Sequence, residues 1–274
     1  MTELQKKEFE LLELFVGICK KLKLRYYLVC GSALGSVKYK GFIPWDDDVD
    51  VALPRPDYER FLQEAPKLLP EWVFVQNYRT DREYPGMGSK LRNCKTTFIE
   101  KEAMKINMNH GIFIDIFPLD GYPEGESEQQ DFEKKKWSFY RRRYTALIPP
   151  IHRDVGLTLR SIARQYFGVY SESYDACRST EELFLRNPVY ESKLWCNFAN
   201  SMKKIEYVPR EVYGEGICAV FEGMEVIIPE KYDEYLRNKY GDYFLDPPEN
   251  EQVPSHGYII DVNKPYTEYI KELK

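Results

Sequence analysis

The chain has 274 residues, 43% of them hydrophobic, and a net charge of −5 at pH 7. This size and composition allow one large core, and the acidic balance excludes nucleic-acid binding through overall charge. The apolar runs are far shorter than the ~20 residues of a membrane span. The six cysteines form no C-x-x-C pair, which argues against a zinc site and predicts reduced thiols in a cytoplasmic protein.

The first fifty residues predict alternating helices and strands. Apolar side chains recur at helical spacing over residues 3–22, and the apolar run Tyr26–Cys30 is typical of a buried strand. Ser32 has the position of an N-cap for a helix over 33–39. The hydrophobic period then changes to two over 46–53, which predicts a strand with acids on one face and valines in the core.

The rest of the chain predicts more strands first and more helices later. In chain order we expect a helix over 57–69, strands over 72–75, 88–94 and 112–117, helices over 126–145, 155–169, 173–186 and 190–204, a hairpin over 217–228 and a helix over 230–240. The last thirty residues are expected to wrap the surface. A Pro-Glu-Gly-Glu-Ser stretch at 123–127 divides a core over 1–122 from a helical region over 123–274. The fold class is therefore α+β with a mixed sheet.

Four carboxylates fall within five positions: Asp46, Asp47, Asp48 and Asp50. Like charges this close repel, so a folded chain favours a cation among them, and carboxylate oxygens suit a hard divalent ion such as Mg²⁺. The strict alternation argues against a solvated acidic loop. An EF-hand loop is rejected because its sixth position needs glycine, and this chain has Val51 there.

A further acid, Asp115, interrupts the apolar run Ile112–Phe117. Burying a lone carboxylate is costly. Asp115 therefore either ligates the same metal from a neighbouring strand or is satisfied by a backbone cap or an arginine. It could also serve as general base toward an attacking hydroxyl.

Phosphate-binding candidates come from two places. Gly31 and Ser32 form a turn at the start of a helix, where backbone N–H groups bind anions. Lys90 and Arg92 share one face of a predicted strand, and lysine offers a point charge where arginine offers a planar fork. A solvated strand face is the alternative for this pair.

The order of strand, Gly-Ser turn, helix and Asp-x-Asp strand is similar to the DNA polymerase β-like nucleotidyltransferase fold. More closely, residues 31–51 resemble the signature of the LicD family, which includes fukutin-related protein. Further matches lie at 90–92, at 111–120 and toward the C-terminus as far as His256. The similarity covers most of the chain but is thin over 125–215.

The resemblance implies transfer of a phospho-alcohol, most simply phosphocholine, from a CDP-linked donor such as CDP-choline to a glycan hydroxyl of a teichoic acid or lipopolysaccharide. Asp46, Asp48 and Asp50 match the metal acids of the family, and with Asp115 as the candidate third carboxylate they are the residues expected to serve catalysis and to bind Mg²⁺ (or Mn²⁺). Gly31 and Ser32 match the turn that holds the donor phosphates, and Lys90 and Arg92 are candidates for the same role. Asp47 has no assigned role, and His256 lies either near the site or on the surface.

Two rival functions stay open. A nucleotidyltransferase would place a nucleotide from an NTP on a small acceptor and release pyrophosphate, whereas phospho-alcohol transfer releases CMP. A catalytically inactive binding module of the same fold is the second rival, and the retention of all the metal acids argues against it.

Two basic clusters, 134–136 and 141–143, share one face of a predicted helix. They either dock a polyanionic or membrane-anchored acceptor or form a solvated face paired with nearby glutamates. A lipid-linked acceptor would bring the enzyme to the inner face of the membrane as a peripheral contact. Choline would favour an aromatic cage, but the sequence does not say which aromatic residues converge.

Overall fold

The computed structural model describes residues 1–104, 106–147, 170–198, 206–254 and 256–273. Its helices are α1 (Glu3–Leu22), α2 (Cys30–Lys38), α3 (Arg55–Glu64), α4 (Glu126–Leu147), α5 (Tyr170–Phe184), α6 (Arg210–Tyr213), α7 (Tyr232–Tyr240) and α8 (Tyr266–Leu273). Its strands are β1 (Tyr27–Leu28), β2 (Asp50–Pro54), β3 (Val73–Gln76), β4 (Ser89–Asn93), β5 (Thr97–Glu100), β6 (Ile112–Tyr122), β7 (Leu194–Asn197), β8 (Glu206–Pro209), β9 (Ile217–Phe221), β10 (Met224–Ile228) and β11 (Gly257–Asp261). The predicted α+β class with a mixed sheet is confirmed.

A seven-stranded sheet in the order β1-β2-β6-β4-β3 forms the centre, and β7 and β8 extend it from the second half of β6. Strands β2 and β6 are parallel, and the other pairs in this sheet are antiparallel. The register places Asp50 opposite Asp115, and Asp115 opposite Lys90. Paired residues point to the same face of a sheet, so three charged side chains form a row across β2, β6 and β4.

Helix α1 packs on this sheet through its apolar stripe. Thr2 and Gln5 form a capping box at its start, and Leu11, Leu12 and Phe15 are fully buried in the main core. Gln5 also donates from Nε2 to the carbonyl oxygen of Asp46, at 3.1 Å. The first turn of α1 therefore holds the acidic segment ahead of β2.

The predicted hairpin is confirmed as β9 and β10, with Glu222 and Gly223 at its turn. Both have positive φ, 49° and 82°, as a tight two-residue hairpin turn requires. Phe221 and Val226 pack in the same core as α1. This hairpin therefore completes the hydrophobic core that the first hundred residues of the chain form.

Several predictions of local structure are wrong. The strand begins at Asp50, so the acids ahead of it lie in irregular chain, and α2 begins at Cys30, so Ser32 is inside the helix and Val29 is the N-cap. The helix predicted over 190–204 is a strand, β7, in its described part, because the second half of β6 offers it a pairing edge. The pattern over 155–169 lies outside the described residues.

The C-terminal segment is more regular than a surface wrap. It forms β11, which pairs with β5, and then α8. Among the helices of the described ranges, none has both the length and the apolar character that a membrane crossing needs.

Candidate functional site

Three carboxylates, those of Asp48, Asp50 and Asp115, converge on one face of the sheet at the start of β2. One oxygen from each lies within 4.8 Å of the others. Asp50 opens β2, Asp115 lies directly opposite it in β6, and Asp48 comes from the segment just before β2. The predicted meeting of acids from two neighbouring strands is therefore present.

Backbone hydrogen bonds fix the start of β2. The N–H of Asp50 donates to the Ser32 hydroxyl at 2.8 Å, and its carbonyl oxygen accepts from Val29 N–H at 3.1 Å. The carbonyl oxygen of Val49 accepts from Asp115 N–H at 2.8 Å. Helix α2 and strand β6 thus hold the acidic segment from both sides.

The cluster carries more negative than positive charge. Burial, and after it repulsion from Asp48 and Asp115, raises the pKa of Asp50 well above its usual range. Burial is also the main reason that the pKa of Asp48 rises to about 6. Within the described part of the chain the ion pair of Asp115 is with Lys90, whose Nζ lies 3.2 Å from Oδ2. A further cation would therefore relieve repulsion here.

The geometry and chemistry of the cluster fit a hard divalent ion. All three donors are oxygens, as Mg²⁺ prefers, and Mg²⁺ holds its ligands at about 2.1 Å, so ligands on opposite sides of it are about 4.2 Å apart. The observed limit of 4.8 Å is close to that separation.

Asp46 lies beside this cluster and is not part of it. Its carboxylate faces the first turn of α2, where a Cβ built on Gly31 would be only 2.6 Å from Oδ2. Burial, followed by repulsion from Asp48 and Asp47, raises the pKa of Asp46 to about 7. Glycine at position 31 therefore permits the close approach of this acid.

Asp47, which had no role in the sequence analysis, anchors the C-terminal strand. Its Oδ2 accepts from the backbone N–H groups of His256 and Gly257 at 3.0 and 3.1 Å, and His256 Nδ1 lies 2.8 Å from Oδ1. Although burial opposes it, these hydrogen bonds lower the pKa of Asp47 to about 2. The bond to Asp47 raises the pKa of His256 to about 9. No local sequence signal reveals this pairing, because its partners are more than 200 residues apart.

Lys90 and Arg92 share one strand face, as predicted, but only Lys90 is at the cluster. The Lys90 ammonium lies 3.2 Å from the centre of the Phe113 ring, and the Arg92 guanidinium lies 4.5 Å from it. Arg92 is fully buried and donates to Gln76 Oε1 at 2.7 Å and to the carbonyl oxygen of Gly111 at 2.8 Å. Arg92 therefore stabilises the sheet next to the site through its own hydrogen bonds and is not one of the groups at the carboxylate cluster.

A cavity of about 220 Å³ opens beside the cluster. Its walls include the three clustered carboxylates and His256, and also Tyr84, Met87, Glu100, Phe113 and Phe117. Sequence reasoning did not find Tyr84, Glu100 or Phe117, because each comes from a different element.

The basic clusters on α4 do not form one uniform solvent-facing surface. Lys134 is exposed, but Lys136 is buried, with its ammonium 5.8 Å from the Phe198 ring centre. The side chains of 141–143 lie outside the described residues. Docking of an acceptor on this helix stays a prediction.

Comparison with known proteins finds a matching family domain and two similar proteins. Residues 23–153 match the LicD/FKTN/FKRP nucleotidyltransferase domain, and this span contains the whole cluster. The lipopolysaccharide cholinephosphotransferase LicD of Haemophilus influenzae is 26% identical over 270 residues, which cover 91% of this chain and 94% of that protein. Uncharacterized protein RP689 of Rickettsia prowazekii is 29% identical over 104 residues, or 38% of this chain and 35% of that one.

Proposed function

We propose that this chain, a member of the LicD family, transfers a phospho-alcohol, with phosphocholine the first candidate, from a CDP-linked donor to a glycan hydroxyl. The observation that carries the proposal is the convergence of Asp48, Asp50 and Asp115 beside the first turn of α2. Carboxylates that hold a divalent ion next to a phosphate-binding helix start are typical of phosphoryl-type transfer. The name of the Haemophilus relative supports phosphocholine as the group and lipopolysaccharide as the acceptor type. A teichoic acid is the other acceptor that the family resemblance suggests.

The proposed core is of the DNA polymerase β type. Its support is the order of β1, α2 and β2, with Gly31 and Ser32 at the helix start, and the parallel neighbour β6 that carries Asp115. These elements lie within the matched domain.

Asp48, Asp50 and Asp115 would hold Mg²⁺, or Mn²⁺ in its place. When bound, the ion would supply positive charge to the donor pyrophosphate and to the departing CMP. Asp46, which the resemblance also assigns to the metal, would have to leave Gly31 to join these ligands.

The chain's own residues would align the donor and accept a proton. Backbone N–H groups in the first turn of a helix have no partner within the helix, so those of Gly31 and Ser32 suit a donor phosphate. Lys90 adds a positive charge beside Asp115. The acceptor oxygen would form a bond to the β-phosphorus as the bond from that phosphorus to CMP breaks, and Asp115 is our candidate to take the hydroxyl proton.

Nucleotide transfer from an NTP is the second candidate, favoured by the description of the matched domain as a nucleotidyltransferase domain. The leaving group distinguishes the two reactions. We would incubate the protein with Mg²⁺ and a glycan acceptor, supply CDP-choline, CTP or ATP, and quantify CMP and pyrophosphate. The proposal predicts CMP from CDP-choline; pyrophosphate from an NTP would favour the second candidate.

Replacement of a cluster acid tests the assignment of the site. Asp48→Asn and Asp50→Asn keep the side-chain volume but remove a charged ligand, and each should abolish CMP release while the circular dichroism spectrum is unchanged. Glu225→Gln, at an exposed position of β10, is the matched control and should behave as wild type. Activity retained in both aspartate variants would contradict the metal assignment.

A further inference from the structure

Part of the wall of the cavity beside the carboxylate cluster is formed by aromatic and apolar side chains. Tyr84 and Met87, from the segment between β3 and β4, line the cavity together with Phe117 of β6. At about 220 Å³ the cavity is smaller than the about 300–1,000 Å³ that enclose a drug-sized ligand. It therefore suits one headgroup and not a whole nucleotide-linked donor.

Two of the aromatic rings are available to a ligand. The Phe113 ring already contacts the Lys90 ammonium, at 3.2 Å, and the Arg92 guanidinium, at 4.5 Å. No described cation lies over the ring of Tyr84 or Phe117, although both side chains are buried. These two residues therefore supply the aromatic contacts of the cavity wall that no described cation already uses.

Two glycines let the chain pack closely against these rings. A Cβ on Gly88 would lie 3.0 Å from Cδ1 of Phe117 and 3.0 Å from the carbonyl oxygen of Ile116. A Cβ on Gly86 would overlap the Tyr84 hydroxyl. The backbone of the segment ahead of β4 therefore contacts Phe117 at Gly88 and Tyr84 at Gly86.

Glu100 provides a further negative charge in the same cavity. It ends β5 opposite Gly257, and its carboxylate has no hydrogen bond or ion pair among the described residues. Burial opposes its ionisation, but the charges of Lys90, Arg92 and His256 lower the pKa of Glu100. Glu100 is not one of the three proposed metal ligands, but its charge adds to burial in raising the pKa of Asp115.

The chemistry of this wall selects among cations. A quaternary ammonium has no N–H to donate, so it gives up no hydrogen bond against apolar walls, and it gains from aromatic rings and a nearby carboxylate. A primary ammonium or a polyol needs several hydrogen-bond partners once it leaves water. Apart from the three proposed metal ligands and His256, the polar side chains that line the cavity are Tyr84 and Glu100.

We propose that Tyr84, Phe117 and Glu100 form the subsite for a quaternary ammonium headgroup of the donor, with Met87 completing its wall. This assignment rests on the proposed function, and it favours choline over other alcohols. Tyr84 and Phe117 present ring faces to the methyl groups, and Glu100 balances the charge.

The test compares three donors: CDP-choline, CDP-ethanolamine and CDP-glycerol. Wild type should use CDP-choline best. Tyr84→Leu should raise the KM for CDP-choline by about 2- to 30-fold, the range of one cation–π contact, and should leave the KM for CDP-glycerol nearly unchanged. Tyr84→Phe keeps the ring and should resemble wild type. Glu100→Gln should raise KM for both cationic donors and spare CDP-glycerol. Tyr258→Leu, at an exposed position of β11, and Glu225→Gln are matched controls.

Two results would overturn the subsite and leave the proposed CDP-alcohol transfer unaffected. One is that Tyr84→Leu and Glu100→Gln change KM equally for all three donors, and the other is that wild type prefers CDP-glycerol. Absence of CMP from every donor would refute the proposed function instead. Calorimetry then still decides the subsite. The subsite is supported if wild type binds phosphocholine more tightly than glycerol phosphate and if Glu100→Gln weakens the binding of phosphocholine. Equal affinity for the two compounds would overturn it.

Discussion

The carboxylate cluster predicts that Asp50→Asn stabilises the metal-free protein while it destroys function. Two unit charges at 4.8 Å, the upper limit of the separations in the cluster, repel by about 3.5 kcal/mol at an effective dielectric constant of about 20. Asp50 faces two such partners, Asp48 and Asp115, and among the described residues it has no ion pair that the substitution would break. Because burial already favours protonated forms, only part of this repulsion is present. We expect about 1–3 kcal/mol of added stability.

The assay is urea unfolding of wild type and Asp50→Asn, followed by circular dichroism, in EDTA and in excess Mg²⁺. In EDTA the variant should unfold at higher urea. In Mg²⁺ the wild type should gain stability by ligand linkage, about 2.7 kcal/mol at one hundred times Kd, and the difference should shrink or reverse. Glu225→Gln should follow wild type in both. A variant clearly less stable than wild type in EDTA would refute the reasoning.

Three further substitutions test the supports of the site by urea unfolding and kinetics. Ser32→Ala leaves the buried Asp50 N–H without its acceptor and should cost about 1–3 kcal/mol and lower kcat; unchanged values for both would contradict this role. Asp47→Ala removes the acceptor of the His256 and Gly257 amides. It should lower the free energy of unfolding by about 2–4 kcal/mol and speed hydrogen exchange at these two amides; exchange as slow as in wild type would contradict this role. Arg55→Ala leaves Asp120 buried without its partner at 2.8 Å and should cost about 3–5 kcal/mol with KM for CDP-choline unchanged; a raised KM would place the pair in the site.

Sequence patterns predicted the strands that form the centre of the site. Strand β4 was predicted from alternating charged residues, and strand β6 from an apolar run. The single acid in that run, Asp115, indicated that this strand contributes to the site. The roles of the four acids could not be resolved in the same way, because their alternation predicts a strand but only Asp50 lies in β2 and the other three lie in the irregular chain before it. Asp46 faces Gly31, Asp47 binds the chain near His256, and only Asp48 and Asp50 join Asp115.

Long-range pairing accounts for the other differences. The residues of β7 have a helical pattern, but pairing with the end of β6 decides their conformation. Arg92 reads as a phosphate ligand on an exposed face, yet segments distant in the sequence cover that face and bury it. The headgroup wall joins Tyr84, Glu100 and Phe117 from three elements, and no spacing in the sequence predicts that they meet.

Metal binding tests the central claim most directly. We would titrate Mg²⁺ and Mn²⁺ into wild type, Asp48→Asn and Asp115→Asn by calorimetry. The account predicts saturable binding to wild type that either substitution abolishes while the fold is retained. Wild type that binds neither ion, or variants that bind both ions as tightly as wild type, would contradict it.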